Sequence, residues 1–155
     1  MTEPAQKPSA SARRSAARLM AVQAVYQMAV NKKEPAFVVD EYLFHRSGME
    51  IEGESMVEPD RDLFTNIVLG TAERLEDLTN IVNANRPQKE EGTRADEPLL
   101  MAVMLCGAYE LMAHQDIDFP IIISSYVDVA KAFFTGGEPK LVNAVLDSAQ
   151  KVIRA

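Results

Sequence analysis

The sequence predicts an all-α protein, a bundle of six or seven helices, and three observations carry that prediction. Apolar residues recur at steps of three and four over long stretches, as one face of a helix requires and a strand's period of two does not. Only 6% of residues are aromatic and none is Trp, so Leu, Val, Ile, Ala and Met must fill the core, a diet that suits long helices better than a β-sandwich. Finally, 155 residues at 47% apolar and 25% charged can bury a core of ordinary size.

Taken in order, residues 1–10 carry Pro4, Pro8 and Ser9 and no large apolar residue after Met1, which predicts a flexible tail ahead of a single helical domain over 11–155. A first helix is expected from about Ser11 to Val30, with Leu19, Val22, Val25, Tyr26 and Ala29 on its apolar side and Ser9 or Ser11 as N-cap. Pro35 suits the first turn of a second helix that runs to about Ser47 and turns Phe37, Val38, Leu43 and Phe44 inward. Gly48–Glu58, with two glycines and four acids, reads as an exposed loop.

After Pro59 the residues Leu63, Phe64, Ile67, Val68, Thr71, Leu75, Leu78 and Val82 trace one long helix, or two if it breaks, with Gly70 as its weak spot. Asn83–Glu97 is a second polar loop. Asp96 is the expected cap of a central helix from about Glu97 to His114, apolar on nearly every side. Asp118 and Pro120 open another helix through Phe134, which Gly136 and Gly137 end. The last helix starts near Glu138–Pro139 and puts Leu141, Val142, Val145, Leu146, Ala149, Val152 and Ile153 on one face.

The net charge of −7 is unevenly spread. Residues 1–33 hold six basic residues against one acid, a net +5; residues 34–155 hold 10 basic and 22 acidic residues, a net −12. So acidic a body repels phosphate chains in general, and nucleic acid can bind only at a local patch, of which the N-terminal segment is the obvious one. The single thiol, Cys106, lies inside the apolar run Leu99–Tyr109, where a small core residue is expected; one cysteine can form no internal disulfide. That run spans 11 residues, against about 20 for a membrane helix, and the N-terminus lacks a signal-peptide stretch, so a cytoplasmic location without membrane partners is expected.

Catalytic and metal motifs are missing from the sequence. His45 and His114 have no ligand partner three or four residues on, and no phosphate-cradling glycine loop is present. Carboxylate pairs such as Glu90–Glu91 and Asp116/Asp118 fall in polar stretches that read as solvated loop. The expectation is a binding protein with no metal, cofactor or catalytic residue.

The N-terminal arginines differ from this background. Arg13, Arg14 and Arg18 fall at roughly 0°, 100° and 140° around a helix, one flank. Arg13 and Arg14 also occupy the first turn, where the helix dipole disfavours cations by about 0.3–1 kcal/mol each. Guanidinium forks there, with Lys7 reaching from the tail, suit phosphates and can stack on unpaired bases. A merely solvated basic helix start is the other reading of the same residues.

Those arginines open a family resemblance. ARRSAARLMAVQAVYQ at Ala12–Gln27 resembles the start of NusB proteins, an arginine-rich turn followed by an ALQALYQ-like stretch. GAYEL at Gly107–Leu111, DFP at Asp118–Pro120, VDVAK at Val127–Lys131 and KLVNAVLD at Lys140–Asp147 are similar, in order and spacing, to that family's later blocks. The match covers both ends of the chain; residues 31–95 match only as helices. The resemblance implies two packed three-helix subdomains. It also implies a transcription antitermination factor that pairs with NusE, a small-subunit ribosomal protein, to hold boxA-type single-stranded RNA at the RNA polymerase antitermination complex and support ribosomal RNA synthesis. Carried over by position, the RNA-binding residues are Arg13, Arg14, Arg18, Tyr26, Lys140 and Leu141, with Lys7 added from the tail.

The sequence departs from the pattern in places. The family's last aromatic is Leu141, the glycine of VNG is Ala144, INE is Ile123, Ser124 and Ser125, and arginines of the central helix are Met101 and Leu105. Loss of the arginine at 105 together with the glutamate at 125 has the form of a deleted buried ion pair. An alternative keeps the fold but makes the chain a protein-only adaptor or homodimer with weakened RNA binding, favoured by Leu141 and the acidic body. An RNA cytosine methyltransferase, to which NusB-like domains are fused elsewhere, would need a catalytic domain and cofactor loop that this sequence lacks.

Overall fold

The computed structural model describes residues 8–45, 50–51, 54–55, 57–87 and 97–155. Seven helices account for nearly all of them: α1 (Ala10–Asn31), α2 (Pro35–His45), α3 (Arg61–Glu73), α4 (Leu75–Asn85), α5 (Pro98–Ala113), α6 (Phe119–Phe133) and α7 (Glu138–Ile153). Inside the expected 48–58 loop, β1 (Glu50–Ile51) and β2 (Glu54–Ser55) pair antiparallel over two residues each, too short to change the fold class.

Most helix ends follow the local chemistry. Ser9 caps α1, its Oγ accepting the Ala12 N–H at 3.0 Å, so the expected tail is ordered into a cap by its ninth residue. Asp60 caps α3 in the same way through Leu63 N–H. Proline stands in the first turn of α5, α6 and α7, where a missing N–H costs nothing. The cap of α5 is Glu97; Asp96 and Lys7 lie outside the described residues. The long helix after Pro59 does break, at Arg74, which ends α3 and begins α4. The latter runs two residues into the stretch expected to be loop.

The helices form two groups of three. In the first, α1, α2 and α3 pack on one another; in the second, α5, α6 and α7 do, with α4 lying against α5 and α7. Docking of α1 on both α5 and α6 joins the groups into one continuous apolar core. Helix α5 is central, buried at every position from Ala102 to Leu111. Its close packing uses two glycines: a Cβ at Gly70 would lie 2.2 Å from Tyr109 Cζ, and one at Gly107 would lie 2.7 Å from Leu146 Cδ1.

Two inward assignments are corrected. On α2 the buried side is Val38, Val39 and Tyr42, while Phe37 and Phe44 are 57% and 82% exposed. On α7, Val152 is exposed, one turn past the last core contact at Ala149. Among the described residues no helix is long and apolar enough to cross a membrane, and no cluster of three or more His, Cys, Asp or Glu could hold a metal ion.

Candidate nucleic-acid interface

Arg13 and Arg14 stand exposed in the first turns of α1, beside exposed Ser11 and Ser15. The chain returns to this end of α1 after α2: Asp60 N–H donates to the Arg13 carbonyl at 3.0 Å, and Pro59 is buried behind it. Two helix N-termini, those of α1 and α3, therefore meet at the arginine pair and add their partial positive charges to it. Carboxylates bound the patch on the α3 side, where Asp60 is spent as a cap and Glu58 lies 3.7 Å from Arg61. The positive surface is confined to the α1 side.

Arg18 does not share that exposed flank. It is 5% exposed, and its guanidinium forks onto Glu110 of α5, Nε to Oε2 at 2.7 Å and Nη2 to Oε1 at 3.1 Å. The third nitrogen, Nη1, donates to Ser125 Oγ of α6 at 3.4 Å. Tyr126 donates its hydroxyl to Glu110 Oε2 at 2.5 Å, and His114 Nδ1 lies 3.0 Å from Oε1. Both Glu110 oxygens thus have two partners, which fills the acceptor capacity of a buried carboxylate. Burial alone would raise the Glu110 pKa. The hydrogen bonds of His114 and Arg18, the Arg18 charge and the Tyr126 hydroxyl outweigh it and hold the carboxyl at about 2. The Tyr126 phenol is pushed well up, by burial first and by the facing carboxylate second.

The network continues outward, His114 Nε2 lying 2.8 Å from Asn66 Oδ1 and Tyr109 donating its hydroxyl to the same atom at 3.0 Å. Through it α1 is tied to α3, α5 and α6 one turn below Arg14. The arrangement fixes where the exposed arginines point, which is the way a first contact shell is made rigid by its supporting layer. A groove of about 530 Å³ runs alongside between α1 and α6; Ser11, Ser15, Ser124 and Ser125 line it with hydroxyls, and Asp128 is its one charged lining residue.

The remaining candidates lie apart from the arginine pair. Tyr26 is half-buried against the core, twelve residues and so about 18 Å along α1 from Arg14. Lys140 is exposed and Leu141 half-buried in the first turn of α7, a helix that packs on α4, α5 and α6 and makes no contact with α1. Arg13 and Arg14 are the two candidates the fold brings side by side. Sequence reasoning missed Glu110, Tyr126, His114 and Asn66; the GAYEL block contained Glu110, with nothing local to mark it as the partner of a residue 92 positions away. Cys106 is fully buried, and that burial pushes its thiol pKa up, the opposite of what a nucleophile needs.

Comparison with known proteins agrees with this architecture. The family model described as the NusB family matches residues 15–151. The Bartonella henselae transcription antitermination protein NusB is 39% identical over 147 residues, 95% of this chain and 92% of that protein. The Brucella ovis protein of the same name is 42% identical over 147 residues, covering 95% and 85%, and that of Rhizobium meliloti 38% over 141 residues, covering 91% and 88%. A crystal form of T. maritima NusB superposes with a TM-score of 0.71 over 94% of this chain and 93% of that one; at 19% identity this likeness concerns the fold. With a family model spanning nearly its whole length and relatives near 40% identity, the chain belongs to the NusB family.

Proposed function

We propose that the chain is a transcription antitermination factor that holds boxA-type single-stranded RNA together with NusE at the RNA polymerase antitermination complex, in the cytoplasm, and supports ribosomal RNA transcription. It acts by binding, with no catalytic step. The observation that carries the reading is the exposed Arg13–Arg14 pair at the meeting of two helix N-termini, on a helix pinned from behind by the buried Arg18–Glu110 pair. A helix start optimised for stability alone would put acids there.

In this proposal Arg13, Arg14, Lys140 and Lys7 neutralise phosphates, and Tyr26 and Leu141 offer flat or apolar contact to bases. Leu141 supplies less than an aromatic would, since a stacked base is worth about 1–3 kcal/mol. Arg18 acts by position and not by contact. The patch is small on a body of net charge −12, and NusE would extend the RNA track across a second surface. A protein-only adaptor or homodimer of the same fold is the competing reading, favoured by Leu141 and that acidic body.

Fluorescence polarisation with a short boxA-type RNA separates the two. The proposal predicts binding that tightens when NusE is added; absence of binding with and without NusE supports the adaptor and overturns the RNA reading.

A further inference from the structure

Helix α2 presents an outer face that neither the core nor the proposed RNA site uses. Phe37 and Phe44, 57% and 82% exposed, are seven residues apart, two helical turns or about 10 Å, and within about 20° of one another around the axis. Glu41 lies about 40° to one side of Phe37 and Asp40 about 60° to the other, so the aromatic stripe is edged by carboxylates. Lys33 spends its charge inside the stripe, its Nζ 3.6 Å from Glu41 Oε2 and 5.6 Å from the centroid of the Phe37 ring. The surrounding sequence is the most acidic in the chain: residues 34–60 hold eight acids and one arginine, a net −7 equal to that of the whole protein.

Two large exposed aromatics on one helical stripe are anchors of the kind that dominate protein interfaces. We propose that this face of α2 is a second docking surface, for a basic protein segment that carries two apolar side chains about 10 Å apart, the spacing of i and i+7 on a partner helix. Charge selects the class of occupant. Phosphate chains are repelled, and a basic peptide is attracted and oriented by Asp40 and Glu41. A second copy of this chain is disfavoured by symmetry: its basic segment is 1–33, so the contact would join two unlike surfaces and propagate unless it closed. This surface lies on a different helix from Arg13 and Arg14, and its test stands apart from that of the RNA reading.

The experiment titrates full-length ¹⁵N-labelled protein with a synthetic Lys/Ala helical peptide carrying two leucines seven residues apart. The controls are an isomer with the leucines on opposite faces and a Glu-for-Lys version. Phe37→Ser/Phe44→Ser and Asp40→Lys are the variants; all their positions are exposed, and circular dichroism checks that they fold. The proposal predicts amide shifts over α2, binding at least about 30-fold weaker in the double Phe variant, weaker binding in Asp40→Lys, and weaker binding of both controls. Arg13→Ala/Arg14→Ala should bind the peptide as wild type does. Shifts away from α2, equal binding by the double Phe variant, or no binding at all would overturn it. So would self-association in ultracentrifugation that the Phe variant abolishes, because the occupant would then be a second copy, as would a short RNA that displaces the peptide.

Discussion

Removing the Arg18 side chain tests the claim that the arginine-bearing helix is held from inside. In Arg18→Met the Glu110 carboxylate stays buried and loses its forked partner at 2.7 and 3.1 Å, keeping Tyr126 and His114. Breaking one side of a buried ion pair typically costs about 3–5 kcal/mol. A second route gives a similar figure: holding the Glu110 carboxyl at about 2, against an ordinary 4.5, corresponds to on the order of 3 kcal/mol of preference for its charged form. For a chain of this length each kcal/mol moves the midpoint by about 2–4 °C, so Tm should fall by roughly 6–20 °C. Arg18→Met/Glu110→Met/Tyr126→Phe replaces the whole cluster with apolar groups and should be less damaged than the single variant, because no charge is left alone. Thermal and urea unfolding measure both. A single variant within about 0.5 kcal/mol of wild type, or a triple variant worse than the single, would refute the reasoning.

Three further outcomes follow from the same geometry. Glu110 is depressed in the folded state, so its contribution is complete above about 4.5 and drains away as pH falls toward about 2; acid unfolding curves of Arg18→Met should lose much of that slope. Gly70→Ala should cost about 1–3 kcal/mol because its Cβ meets the Tyr109 ring. Gly137→Ala, with nothing within 4 Å and a helical backbone, should change little in the same denaturation assay. If NusE raises RNA affinity, RNA must raise NusE affinity by the same factor, and calorimetry of the two arms should agree.

The helices were legible in the sequence because their signals are local: serine, aspartate and proline at starts, and steps of three and four along each face. What escaped was decided by distant partners. Helix α2 is apolar on most sides, and periodicity alone could not choose between the Phe37/Phe44 stripe and Val38/Val39/Tyr42; packing against α1 and α3 chose the second. The helical wheel put Arg18 near Arg14 in angle but carries no information about depth, and depth came from Glu110, Ser125 and Tyr126 on helices far along the chain. Gly70 looked like a weak spot and is a contact surface for Tyr109, again a non-local requirement. The break at Arg74 lay inside an unbroken apolar pattern and left no mark in it. Of the site, the arginine pair was readable as a violation of helix-dipole preference, whereas its support was not.

The salt dependence of RNA binding by Arg13→Ala/Arg14→Ala tests the proposed function most directly. If Arg13, Arg14, Lys140 and Lys7 neutralise about four phosphates, log K for the wild-type protein should fall with log salt at a slope near −3, roughly 50-fold between 50 and 200 mM. The double variant should flatten that slope by about 1.4 and bind most RNA sequences more weakly. Its stability should hold or rise slightly, as two cations leave a positive helix end. Arg18→Met, measured where it is folded, should keep the wild-type slope, because its charge faces Glu110 and not solvent. A double variant with wild-type affinity and wild-type slope would contradict the account and place the RNA, if it binds at all, elsewhere on the protein.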